Sequence, residues 1–273
     1  MGQAKIKQRA TFKSEVIQAW EADDCVNFAV ALARLTGWLL HVDWWVPTTD
    51  YYEEVPIEHF KPLRVYVADN HDLIFDARGI KSIIDFNERT IASLARNFGT
   101  GGVRTRFYDE TTLSFLPLRS QFDEVKIGQA AEEIKANRCF LAAIPPRLPP
   151  FIPAYQAAKF TYGRCAAFAE VMQELTGLQP TALLAIRFLP QYETTRRSAS
   201  GYFHSVVLHP DGLAEDSWGK ASLHEIARRF GVVEFTISSD EHQVVVNKIK
   251  SSSLDRYEAA RREARAIVEQ YRL

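Results

Sequence analysis

Apolar residues recur along the chain at two spacings, one typical of helices and the other of strands. After Cys165, the apolar residues Phe168, Met172 and Leu175 recur on one helical face, and Gly177 stands where a helix C-cap is expected. The pattern therefore predicts a helix that begins at Cys165. Strands are predicted for residues 183–189, 203–208, 232–237 and 244–249, a short helix for 223–230, and an amphipathic helix for 254–271.

Short turn signals indicate that the strands pair in antiparallel fashion. Pro210, Asp211 and Gly212 form a turn signal between strand 203–208 and a segment that reaches Asp216. Each half of the chain shows the order helix, strands, helix, strand, helix. We therefore predict the α+β class, with a cysteine-bearing helix packed on an antiparallel β-sheet in each half.

The two halves of the chain resemble each other in sequence. Residues 25–37 match residues 165–177 at six of thirteen positions, and the two segments lie 140 residues apart. The same offset aligns residues 63–79 with residues 203–219 without a gap. The first half then has eight extra residues, after which residues 95–99 resume the match at an offset of 132. A register that holds across helices and strands predicts an internal duplication.

A proline-rich segment marks the boundary between the two halves. Five prolines lie within residues 145–153, which favours an extended and semi-rigid connector. We therefore predict a first module at residues 1–144 and a second module at residues 154–273. Residues 140–144, just before the connector, are predicted to form a strand that belongs to either half.

Composition and charge limit the classes of function. The 273 residues carry 33 basic and 34 acidic side chains, so there is no basic field that would attract nucleic acid. No apolar run approaches the roughly 18 residues of a membrane helix, and the polar N-terminus lacks the apolar core of a secretory signal. We therefore expect no nucleic-acid or membrane partner and a cytoplasmic location, although a secreted effector without such a signal stays open. The sequence does not predict an oligomeric state.

The cysteine and histidine pattern gives no sign of a metal or a cofactor. Cys25, Cys139 and Cys165 are too few and too scattered for a disulfide framework, which favours a reducing compartment. No set of cysteines and histidines has the spacing of zinc ligands, and no dinucleotide fingerprint is present. We therefore expect neither a metal nor an organic cofactor.

Cys165, His204 and Asp216 form a set with the chemistry of a thiol nucleophile. A cysteine attacks only as the thiolate, and both a helix N-terminus and a nearby histidine lower the pKa of a thiol. Cys165 stands at a predicted helix start, just after Gly163. His204 lies in a predicted strand as the base, and Asp216 follows across one hairpin, where it orients the imidazole. Trp218 is expected to pack beside this pair and to shield the bond between them.

These segments resemble the motifs of papain-type thiol enzymes. Residues 163–169, Gly-Arg-Cys-Ala-Ala-Phe-Ala, are similar to the motif around the nucleophile, and residues 204–206, His-Ser-Val, are similar to the His-Ala-Val of the base. Residues 216–219, Asp-Ser-Trp-Gly, resemble the Asn-Ser-Trp-Gly that supplies the orienting residue and its covering tryptophan. Cys165 and His204 lie only 39 positions apart, which is more similar to the transglutaminase-like, arylamine acetyltransferase and bacterial cell-wall endopeptidase branches.

The resemblance implies two tandem papain-like or transglutaminase-like modules, with Cys165, His204 and Asp216 as the triad of the second. The sequence departs from papains at Lys159, six residues before the cysteine, where papains place the glutamine of the oxyanion hole. The backbone N–H of Cys165 is one available oxyanion donor, and the sequence identifies no second.

The first half carries the same cysteine and aspartate but has lost the histidine. Its corresponding residues are Cys25, Arg64 and Asp76. Arginine stays protonated and cannot act as a base, so we expect a degenerate module without thiol chemistry. Arg78 stands in place of the tryptophan of the second half, which agrees with this interpretation. His71 aligns with the hairpin turn and is expected at the wrong end of the strand to replace the missing base.

We predict a cysteine-dependent acyl-transfer enzyme in which Cys165 attacks an amide carbonyl and forms a thioester. Peptidase, deamidase, transglutaminase and acetyltransferase outcomes share this first step, so the sequence leaves them open. A protein or a peptide is the expected substrate. The alternatives are a non-enzymatic binding or scaffold protein built on a duplicated papain-like fold, and a structural subunit whose site residues are relics.

Overall fold

The computed structural model describes residues 11–22, 25–50, 53–69, 73–147, 152–190 and 201–272. The chain divides into two compact units, Met1–Arg147 and Leu148–Leu273. The division falls inside the proline-rich segment 145–153. None of the helices in the described ranges combines the length and the apolar character that a bilayer crossing requires.

The first unit contains a five-stranded antiparallel sheet with the order β4-β3-β2-β1-β5. Consecutive short turns of α-, π- and 3₁₀-helix connect β4 to β5. The elements are α1 (Ser14–Glu21), α2 (Val26–Thr36), β1 (Leu39–Val46), a 3₁₀ turn (Ile57–His59), β2 (Lys61–Ala68), β3 (Leu73–Asp76), β4 (Gly79–Ser82), α3 (Ile83–Phe86), a π-helical turn (Asn87–Ile91), α4 (Ala92–Ala95), a 3₁₀ turn (Arg96–Phe98), β5 (Gly102–Tyr108), α5 (Glu110–Ser114), α6 (Glu124–Ala136) and α7 (Arg138–Ala143).

The second unit contains a five-stranded antiparallel sheet with the order β10-β6-β7-β8-β9. Its elements are α8 (Ala154–Ala158), α9 (Cys165–Thr176), β6 (Gln179–Phe188), β7 (Gly201–Leu208), β8 (Ala214–Asp216), β9 (Gly219–Ala221), α10 (Leu223–Arg229), β10 (Val232–Ser238), α11 (Ser239–Ser252) and α12 (Leu254–Tyr271). The α+β class and the antiparallel sheets predicted from the sequence are confirmed.

The two sheets have the same strand order. Read from the opposite edge, the second sheet is β9-β8-β7-β6-β10, which corresponds strand for strand to β4-β3-β2-β1-β5. The pairing registers agree as well. Leu39 pairs with Ala68 in the first sheet, and the residues 140 positions later, Gln179 and Leu208, pair in the second. Residues that lie 140 positions apart in the sequence therefore occupy equivalent places in the two sheets.

A β-bulge interrupts the central strand pair at the equivalent place in both sheets. In β7 the extra residue is Phe203, which directly precedes His204. In β2 it is Leu63, which directly precedes Arg64. A bulge breaks the strict alternation of side chains and re-aims the residue beside it. The bulge thus sets the direction of the histidine in one unit and of the arginine in the other.

The first halves of the two cysteine-bearing helices are buried, because they are apolar on nearly all sides. Residues 26–32 of α2 and residues 165–169 of α9 are all buried. The α9 helix packs on β6, β7 and α12. The small side chains Ala166 and Ala167 allow this close approach and share one core cluster with Tyr257 of α12. The start of α9 is thereby fixed against β7, the strand that carries His204.

The strand predicted at residues 244–249 is wrong, because these residues lie within the helix α11. The side chain of Ser238 caps this helix by accepting the backbone N–H of Glu241 at 3.1 Å. His242 and Val246 are both buried and lie one helical turn apart, so the buried stripe has helical spacing. The consecutive valines in this segment favour a strand locally, but the cap and the packing of α11 decide the outcome.

The strand predicted at residues 140–144 is also wrong, because α7 covers this segment and belongs to the first unit. The side chain of Asn137 caps the helix by accepting the backbone N–H of Phe140 at 3.1 Å. Phe140 is buried, and Pro145 follows just after the helix. The cap starts a helix here, and the proline-rich segment keeps it short.

Candidate active site

Cys165 lies at the first position of α9, where the helix dipole favours an anion. Gly163 has a φ of 73° and makes the turn that leads into the helix. A side chain at this glycine would meet no atom within 4 Å, so its left-handed backbone conformation, and not crowding, requires glycine. The thiol is covered in this structure, because Cys165 is only 4% exposed.

His204 and Asp216 meet across the hairpin formed by β7 and β8. The Nε2 atom of His204 lies 3.0 Å from Oδ2 of Asp216, and both side chains are buried. The backbone N–H of Trp218 donates to Oδ1 of the same carboxylate at 2.8 Å. Because Nε2 is engaged by the aspartate, Nδ1 of His204 is the ring atom available to the thiol. This Nδ1 is buried and has no hydrogen-bond partner among the described residues.

Arg229, at the end of α10, also holds the aspartate. Its Nη1 atom lies 3.1 Å from both carboxylate oxygens of Asp216. The pKa of Asp216 is lowered to about 2, because burial, which raises it, is outweighed by the charge of Arg229 and the bond to His204. Our sequence reasoning missed Arg229. The one sequence feature that points to Arg229 is the pair of basic residues in the last turn of α10.

The thiol of Cys165 and the imidazole of His204 shift each other's pKa in opposite directions. Burial raises the pKa of the Cys165 thiol, but the charge of His204 and hydrogen bonds from its neighbours outweigh burial and lower it. Burial likewise acts to lower the pKa of His204, but the Cys165 thiolate and the bond to Asp216 raise it to about 9. The two shifts therefore favour a thiolate and an imidazolium over the two neutral groups.

A second chain of hydrogen bonds also reaches the thiol. The hydroxyl of Tyr202 lies 3.2 Å from Sγ of Cys165 and 3.0 Å from Oγ of Ser205. Ser205 Oγ in turn lies 3.0 Å from Nδ1 of His242, whose Nε2 lies 3.0 Å from a carboxylate oxygen of Glu170. Burial and the adjacent thiolate raise the pKa of Tyr202, so its hydroxyl stays protonated. It is therefore able to donate to a thiolate at Cys165.

Sequence reasoning missed this chain for two reasons. No sequence pattern marks Tyr202, although it stands two positions before His204 in the same strand. His242 was hidden by the wrong strand prediction for residues 244–249, since its helix α11 was not recognised. Lys159, six residues before Cys165, forms an ion pair with Glu263 at 2.9 Å.

Trp218 is buried and is held in place through its indole. Its Nε1–H donates to Oγ1 of Thr161 at 2.8 Å, while its backbone N–H binds the carboxylate of Asp216. The tryptophan thus fixes the end of β8 and the direction of the aspartate.

No cluster of three or more histidine, cysteine, aspartate or glutamate side chains suited to a metal occurs within the described ranges.

The first unit brings Arg64 to the place that His204 occupies in the second. Arg64 Nη2 donates to Oδ2 of Asp76 at 2.8 Å and to Oε1 of Glu21 at 2.7 Å. Burial lowers the pKa of Arg64, but the nearby Cys25, Asp76 and Glu21 outweigh burial and raise it. The guanidinium stays charged and cannot accept a proton from a thiol.

The cysteine of the first unit also differs in its backbone. Cys25 precedes the helix α2 and has a φ of 61°, a left-handed conformation that is uncommon for a residue other than glycine. Its backbone N–H donates to the carbonyl of Trp20 at 3.0 Å. No acceptor in the described part of the second unit takes the N–H of Cys165 in this way. His71 lies outside the described residues.

The two units thus combine equivalent positions with different chemistry. Residues 204 and 216 hold an imidazole and a carboxylate beside a buried thiol, whereas residues 64 and 76 hold a guanidinium and a carboxylate. Comparison of the chain with protein-family models, with characterised proteins and with solved structures finds no match.

Proposed function

We propose that the second unit is a cysteine-dependent acyl-transfer site of the papain-like or transglutaminase-like kind, and that Cys165 is its nucleophile. The main support for this proposal is the buried His204. It binds Asp216 at 3.0 Å, and its charge lowers the pKa of the Cys165 thiol. This arrangement of nucleophile, base and orienting carboxylate is what covalent catalysis by cysteine requires.

In the proposed reaction, the Cys165 thiolate attacks the carbonyl carbon of an amide, and the carbonyl electrons move onto oxygen. His204 then gives its Nδ1 proton to the departing amine as the C–N bond breaks, which leaves a thioester. Water or an amine attacks the thioester, His204 takes the proton of that acceptor, and the thiolate is released. Asp216 holds the imidazole and stabilises its charged form throughout.

Two groups are suited to stabilise the oxyanion. The backbone N–H of Cys165 points out of the start of α9 and has no acceptor among the described residues. The hydroxyl of Tyr202, 3.2 Å from the sulfur, is a protonated donor beside the point of attack. In this proposal Tyr202 takes the role that the absent glutamine has in papains.

The covered thiol sets a requirement for access. Cys165 is 4% exposed and His204 is 0% exposed, so a substrate carbonyl reaches the sulfur only after neighbouring groups move. Tyr202 contacts the sulfur directly, and its displacement by the substrate would expose the thiol and free its hydroxyl for the oxyanion. Peptidase, deamidase and transglutaminase outcomes all remain compatible with this first step, and a protein or peptide is the proposed substrate.

The same burial favours the second candidate function, a non-enzymatic binding or scaffold protein. A thiol that stays covered would make the second unit a relic of the same fold, as the arginine-bearing first unit is. We further propose that the two units arose by duplication. The equal strand order, the common register and the equivalent β-bulges support this origin.

Thiol labelling separates the two candidate functions. In the folded protein at about pH 6, we expect iodoacetamide to label Cys165 before Cys25 and Cys139, since an ordinary thiol is only about 0.3% ionised there. Cys139 is exposed and serves as the internal reference. In the denatured protein the three thiols should label at equal rates. Equal labelling in the folded protein, or selective protection of Cys165, would favour the scaffold.

A further inference from the structure

The hydrogen-bond chain between Cys165 and Glu170 has four contacts in series. They join Sγ of Cys165 to the hydroxyl of Tyr202, that hydroxyl to Oγ of Ser205, this Oγ to Nδ1 of His242, and Nε2 of His242 to Oε1 of Glu170. Ser205 and His242 are buried, so they depend on these protein groups for their hydrogen bonds. Each contact needs one proton, which one of its two members has to supply.

The end of the chain at Glu170 fixes the place of one proton. The hydrogen bond from His242 and the charge of this histidine outweigh burial and hold the pKa of Glu170 below its ordinary value. Glu170 is thus a carboxylate near neutral pH, and a carboxylate accepts hydrogen bonds but donates none. The Nε2 atom of His242 therefore carries a proton, and the open point is whether Nδ1 carries one as well.

The proton on Nδ1 depends on the state of the thiol. Tyr202 and Ser205 supply one proton each, and a neutral His242 supplies the one on Nε2. With a protonated thiol, the four contacts have four protons, and each hydrogen bond points away from the sulfur. With a thiolate, one proton is missing. A second proton on His242 restores the count, and the hydroxyls of Ser205 and Tyr202 then turn toward the sulfur.

The same chain leads from the covered thiol toward the surface of the second unit. Cys165 and His242 are buried, whereas the side chain of Glu170 is 15% exposed. The exposed Gln243 donates to the same carboxylate oxygen at 3.2 Å. A proton that enters or leaves beside Glu170 therefore does not have to pass the covered sulfur directly.

The first unit has apolar side chains at three equivalent positions of this chain. The corresponding residues, 140 positions apart, are Tyr202 and Pro62, Ser205 and Val65, and Glu170 and Val30. The strand registers place the first two pairs at equivalent points of the two sheets. Proline and valine side chains neither donate nor accept hydrogen bonds. The polar chain therefore accompanies the unit that retains a histidine beside its cysteine.

The elements that pack on α11 carry other ionisable side chains. They include Lys250 of α11 itself, Glu174 of α9, Arg187 of β6, and Tyr257, Glu258 and Arg261 of α12. Lys250 lowers the pKa of Glu170 further, and burial raises the pKa of Tyr257, whose hydroxyl stays protonated. Arg261 pairs with both Glu174 and Glu258, and Arg187 pairs with Glu234. Among the described residues, Glu170 is the ionisable side chain that bonds His242 directly.

We propose that Tyr202, Ser205, His242 and Glu170 form a proton relay between solvent and the Cys165 thiol. In the relay the S–H bond breaks, the thiol proton passes to Tyr202, the proton of Tyr202 passes to Ser205, and the proton of Ser205 passes to Nδ1 of His242. The sulfur loses one proton and keeps the bonding electrons, and the imidazole gains one proton. When His204 takes the thiol proton instead, His242 takes its second proton from solvent beside Glu170.

The relay deepens the proposed acyl-transfer function and rests on its reactive thiol. His242 and Glu170 are positioning residues, because they act on the sulfur through Ser205 and Tyr202. A doubly protonated His242 holds the hydroxyl of Tyr202 toward the sulfur as a donor. A neutral His242 beside a thiolate leaves one contact of the chain without a proton.

The protonation of His242 tests the relay without any substrate. Long-range ¹H–¹⁵N spectra of the full chain labelled with ¹⁵N-histidine distinguish a ring with one proton from a ring with two. His242→Gln identifies the signals of this residue among the seven histidines. Over a pH series we expect Cys165→Ala to weaken the binding of the second proton to His242 about tenfold, because that proton supports a charge-assisted hydrogen bond to the thiolate.

Tyr202→Phe separates the relay from the charge of the thiolate. This change keeps Cys165 and removes the hydroxyl that links it to Ser205, so we expect the same weakening of about tenfold. The matched control is Tyr257→Phe. It removes a buried hydroxyl that has no hydrogen-bond partner among the described residues, and His242 should bind its second proton as in the unmodified chain.

The outcomes distinguish the relay from the acyl-transfer function. A His242 that is unaffected by either Cys165→Ala or Tyr202→Phe would overturn the relay. If iodoacetamide still labels Cys165 of the unmodified chain first, the reactive thiol is retained without the relay. A His242 that responds to both changes, in a chain whose Cys165 forms no thioester, would support the relay and overturn the acyl-transfer function.

Discussion

We expect His204→Gln to slow the alkylation of Cys165 at about pH 6 by about 100-fold. In the unmodified chain the charge of His204 holds the pKa of the thiol below its ordinary value, against the opposite effect of burial. Without that charge, burial raises the pKa, and the thiolate fraction falls below about 0.3% at this pH. The rate is measured by mass spectrometry of the Cys165 peptide after short pulses of iodoacetamide.

The pH dependence of the same reaction gives a second readout. The imidazolium of His204 is present below its pKa of about 9 and is lost as the pH rises through that value. Labelling of the unmodified chain should therefore depend weakly on pH between neutrality and that value. Labelling of His204→Gln should rise about tenfold per pH unit over the same range. His224→Gln, at an exposed histidine of the same unit, is the matched control. Equal rates for His204→Gln and the unmodified chain would contradict the role of His204.

Asp216→Asn should destabilise the second unit by about 3–5 kcal/mol. Arg229 is 8% exposed at its side chain and contacts both oxygens of Asp216. The neutral amide would leave this guanidinium buried without a counter-charge, which is a costly state. Urea unfolding followed by hydrogen exchange of the β7 and β8 peptides measures the effect. Asp211→Asn, at the exposed hairpin turn, removes only a surface ion pair with Lys220 and should shift the urea midpoint far less.

A double variant and an acid titration test the cause of this loss. Adding Arg229→Met to Asp216→Asn removes the stranded charge and should restore part of the stability. The pKa of Asp216 is lowered to about 2, so the ionised carboxylate stabilises the folded state. This contribution to the free energy of unfolding is fully present at a pH above the ordinary pKa of a carboxyl group. That contribution is lost as the pH falls toward about 2. A urea midpoint unchanged by Asp216→Asn would show that the pair with Arg229 does not stabilise the fold.

The sequence is sufficient to predict those parts of the site that depend on local rules. A glycine turn followed by an apolar helix gives the position of Cys165, and a short hairpin brings His204 and Asp216 within 3.0 Å. These features depend on spacings of a few residues, which periodicity and turn signals report directly. The repeat offset likewise predicts that Arg64 faces Asp76, and the two are 2.8 Å apart.

Other parts of the site depend on how whole elements pack against each other, which local sequence patterns do not report. Arg229 reaches Asp216 because α10 folds back beside β8, and no spacing in the sequence reports that approach. His242 reaches Ser205 from a helix whose valines favour a strand locally.

The most direct test of the central claim is to identify the residue that carries the acyl group. The full chain is treated with an activated acyl ester at about pH 7, and the acylated cysteine is mapped by mass spectrometry. We expect a thioester at Cys165 in the unmodified chain and in Cys25→Ala, and none in Cys165→Ala. Arg64→His should create no new site at Cys25, because the backbone N–H of that residue stays bound to Trp20. Acylation that persists in Cys165→Ala and disappears in Cys25→Ala would contradict the account.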